Sequence, residues 1–235
     1  MTEKSTDDAV GHFSGYVKQF HAYYQDRAEF RERLDLWYGL LDKYGVPGGF
    51  SIDMGCGTGV FSFYLAQKGG RVVGVDGSAE MVKFCDEQRR ERGLENVHFV
   101  EGRLPAIEEA DLKNADLIIS SSVVEYVEDL DGALALFSRL LKPRSVLILS
   151  MPNVLCLNRI YERLKYRLTG QPIIYQHIRH FTSPRLLQNR LRRHGLKLEE
   201  ARHYTHYTRL ARIARLLRFP PPLTEDLFVA VFRKI

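Results

Sequence analysis

The sequence contains few cysteines and no long apolar run. Its 235 residues include only Cys56, Cys85 and Cys156, whose number and spacing fit neither a disulfide framework nor a zinc site. No stretch approaches the roughly 20 apolar residues that a membrane-spanning helix needs. The first ten residues, MTEKSTDDAV, are polar and acidic, unlike a secretory signal peptide. These absences predict a reduced, cytoplasmic protein without a transmembrane segment.

Acidic residues are scarce in the last third of the chain. Residues 1–150 hold 17 basic and 24 acidic side chains, whereas residues 151–235 hold 17 basic and only 5 acidic ones. The net charge is therefore −7 in the first part and +12 in the second. Such an asymmetry indicates either an anionic partner for the basic part or a set of well-solvated arginine-rich helices.

Short apolar runs alternate with helical patterns through the middle of the chain. The strand-like runs are FSIDM at 50–54, RVVGV at 71–75, VHFV at 97–100, ADLIIS at 115–120 and SVLILSM at 145–151. Helical periodicity covers 12–45 and the segments near 58–68, 79–92 and 130–141. Continuous apolar strands separated by helices predict a parallel sheet that is covered on both faces.

The pattern changes after Pro152. Residues 154–168 and 183–195 read as helices, the second with Ser183 as its N-cap, and LKLEEARHY and EDLFVAVFRK read as two late strands. Between these strands lies the basic segment TRLARIARLLRFPPP, which reads as a helix stopped by prolines. We predict one α/β domain with a doubly wound, mostly parallel sheet. It comprises an N-terminal helical cap (1–46), a core (47–153), and an insertion with the last two strands (154–235).

Three glycines follow the first strand at alternate positions, Gly55, Gly57 and Gly59. A strand, a glycine-rich turn and a helix bring a nucleotide against bare backbone. The dinucleotide version of this loop has glycine at its sixth position, where this chain has Val60, and a Walker loop would need Gly-Lys-Ser/Thr. The loop therefore suits a nucleoside-like ligand without phosphates.

A second landmark is Asp76, which ends the second strand 21 residues past Gly55. An acidic residue at that distance can accept hydrogen bonds from both hydroxyls of a ribose. Capping of the following helix is the alternative role for Asp76, and Ser78 competes for it.

Taken in order, IDMGCGTG, VVGVDGSAEMV, VHFVEGRLP, ADLIISSSVVEYVED and LLKPRSVLILSMPN resemble the successive motifs of class I S-adenosylmethionine-dependent methyltransferases. The resemblance covers about residues 48–153 and is closest to the ubiquinone-biosynthesis type of O-methyltransferase. It implies a seven-stranded sheet, S-adenosyl-L-methionine as cofactor and S-adenosyl-L-homocysteine as product. The cofactor-binding residues that it implies are Asp53, Gly55, Cys56, Gly57, Gly59, Asp76, Gly77, Met81, Arg103, Leu104, Ser121 and Tyr16 of the N-terminal helix.

One position departs from that family's pattern. Arg103 stands where relatives often carry an acidic residue for the adenine amino group, and arginine cannot accept a hydrogen bond. Adenine would then depend on the Leu104 amide, on stacking, or on Glu101.

The resemblance places the acceptor where the fourth and fifth strands end. SSSVVEYV supplies Ser121, Ser122, Glu125 and Tyr126 there, and YQHIRHF supplies His177 and His180. We expect His177 first, and His180 second, to act as a base or to orient the acceptor, the alternative being that both pin the insertion to the core. Two His-x-x-His pairs, His177 with His180 and His203 with His206, lack accompanying cysteines or acids, so no metal site is predicted.

The acceptor class stays open between several hypotheses. A small-molecule acceptor, anionic or lipid-like, comes first, because no aromatic-rich basic stripe or base-flipping motif points to nucleic acid. The basic helix 208–219 fits a peripheral membrane contact, a pocket wall or a solvated surface. The alternatives are an RNA or protein methyltransferase that uses the basic C-terminal part, and a non-catalytic cofactor-binding module.

Overall fold

The protein forms a seven-stranded sheet with helices on both faces, as seen in a computed structural model that describes residues 6–204 and 215–235. The strands are β1 (Phe50–Met54), β2 (Arg71–Asp76), β3 (Val97–Glu101), β4 (Ala115–Ser121), β5 (Leu141–Pro152), β6 (Leu196–Tyr204) and β7 (Leu227–Lys234). They lie in the order β3-β2-β1-β4-β5-β7-β6. All neighbours pair in parallel except β7, which is antiparallel to both β5 and β6. The predicted fold class is confirmed.

Nine helices are assigned within the described residues. They are α1 (Thr6–Ser14), α2 (Val17–Asp26), α3 (Ala28–Tyr44), α4 (Val60–Gln67), α5 (Ala79–Glu91), α6 (Leu130–Leu140), α7 (Leu157–Thr169), α8 (Pro184–Leu191) and α9 (Pro221–Thr224). Short 3₁₀ turns occur at Ala110–Leu112, Ile173–Gln176 and Arg192–His194.

Two apolar cores form because the central strands are buried on both faces. β1 is buried at all five positions. One core joins the sheet to α6 and α8, and the other joins it to α3, α4 and α5. Continuous apolar strands are typical of a sheet sandwiched between helices, which is why these runs were recognisable in the sequence.

The helical periodicity predicted over 12–45 is divided among several helices. Residues 12–45 are divided among α1, α2 and α3, with breaks after Ser14 and at Arg27. Arg27 is extended, with φ −104° and ψ 129°, so the chain turns there. Only α3 packs deeply, through Trp37, Leu40 and Leu41, which leaves α1 and α2 to lie over the strand ends.

The predicted helix boundaries after β5 are close to those observed. Ser183 caps α8 by accepting from the amide of Leu186, and Gly195 follows the last turn with φ +71°. Pro221 and Pro222 open α9, where a missing amide hydrogen costs nothing. Of the basic helix predicted at 208–219, residues 208–214 lie outside the described residues, as does His206.

Candidate functional site

A cavity of about 150 Å³ lies at the carboxyl ends of the central strands, beneath α1 and α2. In this strand order β2 and β3 lie on one side of β1, and β4 and β5 lie on the other. The crevice at such a switch in strand order is where open α/β sheets bind ligands. Nine predicted cofactor-binding residues line the cavity: Gly55, Cys56, Gly57, Asp76, Gly77, Met81, Arg103, Leu104 and Ser121.

The glycine loop after β1 is held against β2 by backbone hydrogen bonds. The amides of Gly55 and Cys56 both donate to the Val75 carbonyl, at 2.7 and 3.0 Å. Gly57 has φ +54°, and a Cβ there would meet Phe20 at 3.6 Å and no other atom of the described residues within 4 Å, apart from its own neighbours along the chain. A Cβ on Gly55 would instead collide with Val123. Gly57 is therefore the glycine that opens bare backbone to a ligand.

Asp76 links this loop to α5. One carboxylate oxygen accepts from the Gly57 amide at 2.8 Å and the other from the Ser78 amide at 3.0 Å. Ser78, not Asp76, caps α5 by accepting from the Met81 amide. Burial raises the pKa of Asp76, and the two backbone hydrogen bonds oppose that rise. A carboxylate has about four acceptor positions, so Asp76 keeps capacity for the hydroxyls of a ribose.

Asp53 and Gly59, which were predicted to bind the cofactor, do not line the cavity. Asp53 is 1% exposed and accepts a hydrogen bond from the Ser62 hydroxyl at 2.7 Å. Burial, with a smaller contribution from the Asp76 charge, raises its pKa to about 7. A Cβ on Gly59 would meet Phe63 and the Cys85 sulfur at 2.8 and 3.0 Å. Both residues thus support the loop from the side facing the core.

Arg33 of α3 lines the cavity, although sequence reasoning did not single it out. Its guanidinium donates to the Ser121 carbonyl at 3.0 Å and to the Ser121 hydroxyl at 2.6 Å. Arg33 lies one turn before Trp37 and two turns before Leu40, on the buried side of α3. A charged residue on an otherwise apolar helix face was the signal that could have revealed it.

Helices α1 and α2 form a lid over the cavity, to which they contribute Phe13, Phe20 and Val10. Tyr16, which was predicted to contact the cofactor, does not line the cavity: it is 50% exposed and is the N-cap residue between the two helices, with its ring against His12. Tyr24 of α2 does line the cavity. The break between the helices turns Tyr16 outwards, and the sequence periodicity did not show that break.

The lid contacts both ends of the cavity. At the glycine-loop end, the Ser14 hydroxyl donates to the Ser78 hydroxyl at 2.7 Å. At the other end, the Phe13 and Tyr126 rings meet edge to face with centroids 5.5 Å apart. Helix α1 alone therefore contacts both the glycine-loop end and the Tyr126 end of the cavity.

Neither His177 nor His180 lines the cavity, although both were predicted to lie beside the acceptor. The buried His177 ring lies against His12 of the lid, with centroids 5.0 Å apart. The His180 Nε2 bonds to the Val127 carbonyl at 2.9 Å, and burial lowers its pKa. The two imidazoles thus have separate partners.

The segment after β4 carries a strained residue and a buried acid. Ser122 and Tyr126 line the cavity, and Ser122 has φ +59°, which is rare for a residue other than glycine. Glu125 is 1% exposed, and burial raises its pKa to about 8. Its backbone carbonyl accepts from the amides of Arg179 and His180, at 2.8 and 3.1 Å. These bonds fasten the segment to the insertion that carries the histidines.

The described residues contain no group of three or more His, Cys, Asp and Glu side chains placed to hold a metal ion. None of the described helices has both the length and the apolar character that crossing a membrane requires. Glu101 ends β3 beside Asp76 and is exposed, outside the cavity lining.

Comparison with known proteins agrees with this geometry. A family model described as "Methyltransferase domain" matches residues 47–192. The ubiquinone biosynthesis O-methyltransferase of Hahella chejuensis is 30% identical over 152 residues, which is 58% of this chain and 60% of that protein. The Xanthomonas oryzae enzyme of the same name is 29% identical over 179 residues, 72% of this chain and 70% of its own length. The match to the Hahella protein thus spans about three fifths of that relative.

The fold also resembles that of solved structures. The N-methyltransferase NodS from Bradyrhizobium japonicum, solved in complex with S-adenosyl-l-homocysteine, aligns with a TM-score of 0.68 at 16% identity. The alignment covers 98% of this chain and 99% of that one. At this identity the likeness concerns the fold alone.

Proposed function

The chain belongs to the class I S-adenosylmethionine-dependent methyltransferases, and from that premise we propose that it methylates an oxygen or nitrogen of a small-molecule or lipid-precursor acceptor. The observation that carries this proposal is the lid. Phe13 and Phe20 close the cavity from above, and Phe13 reaches Tyr126 at the end opposite the glycine loop. Small-molecule sites are concave and largely apolar. A polymer acceptor would need an open groove instead.

The residues at the glycine-loop end fit the cofactor. Asp76 has acceptor capacity for the ribose hydroxyls, and Gly57 presents bare backbone to the methionine part. Arg33 offers a positive charge for the cofactor's carboxylate, and the Asp53 carboxyl lies behind the loop on the side where its ammonium would sit. Arg103 and Leu104 lie at the rim for adenine. When bound, the cofactor supplies a methyl group that is already electrophilic because it is carried by a sulfonium.

The protein's own task is then mainly alignment of the acceptor. Phe13 and Tyr126 offer aromatic surface for a planar or apolar acceptor, and Ser122 offers a hydroxyl beside them. Oxygen is favoured as the methylated atom because the relatives with the matching sequence are named O-methyltransferases.

His177 is our candidate for orienting the acceptor or for acting as its base, and its ring lies against His12 of the lid with centroids 5.0 Å apart. A neutral imidazole is a suitable base near neutral pH. If His177 acts in this way, His177→Ala lowers kcat by ~10²-fold and removes the acidic limb of the pH profile, with little change in cofactor affinity. His180→Ala is the matched control, since its ring bonds the Val127 carbonyl. Loss of thermal stability and acceptor affinity at unchanged kcat would instead make His177 an anchor.

The test of the acceptor class is a transfer assay with cofactor labelled in its methyl group, supplied with metabolite, lipid and RNA fractions in parallel. We expect label in a low-molecular-weight or lipid fraction. Label confined to RNA or protein would refute the small-molecule proposal in favour of a polymer acceptor. Cofactor binding without transfer to any fraction would support a binding module.

A further inference from the structure

The end of the cavity that lies beyond β3 carries a positive charge. Among the described residues that line the cavity, the charged side chains are Arg33, Asp76 and Arg103. Arg33 bonds to Ser121 at the end of β4, and Asp76 ends β2 beside the glycine loop. Arg103 follows β3 and is exposed at the rim. We call this part of the cavity the β3 end.

Arg103 is placed next to the acid at the end of β2. The amide of Gly102 donates to the Asp76 carbonyl at 2.9 Å, which ties the residue before Arg103 to β2. A Cβ on Gly77 would lie 3.5 Å from the Arg103 Cγ and 3.0 Å from a methyl carbon of Val10 in the lid. The stem of Arg103 and the lid therefore border the same space, directly after Asp76 in the chain.

The side chains at the β3 end offer a ligand no vacant hydrogen-bond acceptor within the described lining. Three of them are apolar: Val10, Met81 and Leu104. The Ser78 hydroxyl accepts from the Ser14 hydroxyl at 2.7 Å and from the Met81 amide at 3.2 Å, and it donates to Glu80 at 3.0 Å. These bonds use its one hydrogen and both of its lone pairs. Arg103 has donors alone, so this end presents donors and apolar surface.

We propose that Arg103 sets the base selectivity of the cofactor site, which accepts a base with a carbonyl group at position 6 as readily as adenine. The proposal rests on the proposed function, in which Asp76 holds the ribose and the glycine loop takes the methionine part, so that the base lies at the β3 end. The 6-amino group of adenine donates hydrogen bonds, which arginine cannot accept. A 6-carbonyl group accepts, and a guanidinium can donate to it.

The exposure of Arg103 explains why neither base is rejected. A site discriminates strongly where the wrong ligand leaves a buried polar group of the protein unpaired. Arg103 is exposed, so water can solvate its guanidinium when adenine is bound. Glu101 is the nearby acid that could favour adenine, but it lies outside the cavity lining.

The experiment is calorimetry of the full chain with two ligands. One is S-adenosyl-L-homocysteine, and the other is S-inosyl-L-homocysteine, in which a carbonyl group replaces the 6-amino group of the base. We expect the two dissociation constants of the unchanged protein to agree within about threefold. Arg103→Asp should separate them by about tenfold or more in favour of S-adenosyl-L-homocysteine, because the new carboxylate accepts from the amino group and repels the carbonyl. The ratio of the two constants is the readout, since a loss of folding or of ribose binding affects both ligands alike.

Arg90→Asp is the matched control, because Arg90 is exposed on α5 and lies outside the cavity lining. It makes the same change of charge and should leave the ratio as it is in the unchanged protein. An equal ratio in Arg103→Asp and the unchanged protein would overturn the proposal, as would discrimination of about tenfold or more by the unchanged protein. A selective loss of S-adenosyl-L-homocysteine affinity in Glu101→Gln would also overturn it, by making Glu101 the acceptor. Binding of neither ligand by the unchanged protein would refute the proposed cofactor site together with this proposal.

Discussion

Replacing Asp53 by asparagine should make the protein more stable at alkaline pH. Asp53 lies at the buried end of β1, where the Ser62 hydroxyl is its hydrogen-bond donor. Burial raises the pKa of this carboxyl to about 7 from an ordinary value of 3.8. The folded protein must therefore hold a poorly solvated negative charge once the pH exceeds neutrality. Asparagine has the same shape and stays neutral.

The size of the effect follows from the linkage between proton binding and folding. Between pH values of about 4 and 7, the folded state keeps the proton on Asp53 and the unfolded state has lost it. The free energy of unfolding therefore falls as the pH rises through this interval, by about 1.4 kcal/mol for each unit of pKa difference. Over the whole interval the loss amounts to about 4 kcal/mol. Asp53→Asn carries no titrating group at this position and does not suffer this loss. The difference in the free energy of unfolding between the variant and the unchanged protein should therefore shift in the variant's favour by roughly 3 kcal/mol between pH 5 and pH 8.

Urea unfolding of the ligand-free protein at these two pH values measures the difference. Asp42→Asn is the control, because Asp42 is exposed and its hydrogen bond with Lys68 lowers its pKa, so this variant should gain nothing at alkaline pH. An equal gap between Asp53→Asn and the unchanged protein at both pH values would show that Asp53 is not neutral at low pH in the fold. We also expect Asp53→Asn to bind S-adenosyl-L-methionine less tightly. Stability gained with affinity lost is the signature of a charge that is kept for function.

Three further predictions concern the cofactor end of the cavity. Asp76→Ala should weaken the binding of S-adenosyl-L-methionine at least tenfold in calorimetry, since each hydrogen bond to a charged acceptor contributes about 1.5–3 kcal/mol. Ser78→Ala, which removes the α5 cap, should lower thermal stability instead. Unchanged affinity in Asp76→Ala would remove Asp76 from the site. Gly57→Val should abolish cofactor binding in a folded protein because the valine side chain enters the cavity. Gly69→Val, at φ +85° with open space around it, should bind the cofactor normally. Normal binding by Gly57→Val would show that the loop serves another purpose. EDTA should leave the transferase activity unchanged, because alkyl transfer from a sulfonium requires no Lewis acid; activity lost to EDTA and restored by a divalent cation would contradict this.

The sequence predicted those features that depend on neighbouring residues. The strands were recognisable because each is a continuous apolar run, and the loop at Gly55–Gly59 because glycine is needed where φ is positive. Asp76 followed from its spacing. These signals are local, so they can be recognised in the sequence without knowing how the helices and strands pack.

Features that depend on distant parts of the chain were not predicted. Arg33 reaches Ser121 across 88 residues of sequence. Tyr16 points outwards because of a helix break that the neighbouring residues do not predict. Arg159 of α7 is buried because it meets Asp226, 67 residues later. In each case the tertiary partner, absent from the local pattern, decides where the side chain lies.

The position of β7 in the sheet has a consequence for how the polypeptide folds as it is synthesised. β7 lies between β5 and β6 although it follows both along the chain, and among the strands of residues 6–204 and 215–235 β6 pairs with β7 alone. The five parallel strands can associate while β6, although already made, still lacks its partner. The cofactor end of the molecule can thus take shape early, and the far edge of the sheet closes last. Any delay in releasing β7 leaves the edges of β5 and β6 open to pairing with other nascent chains.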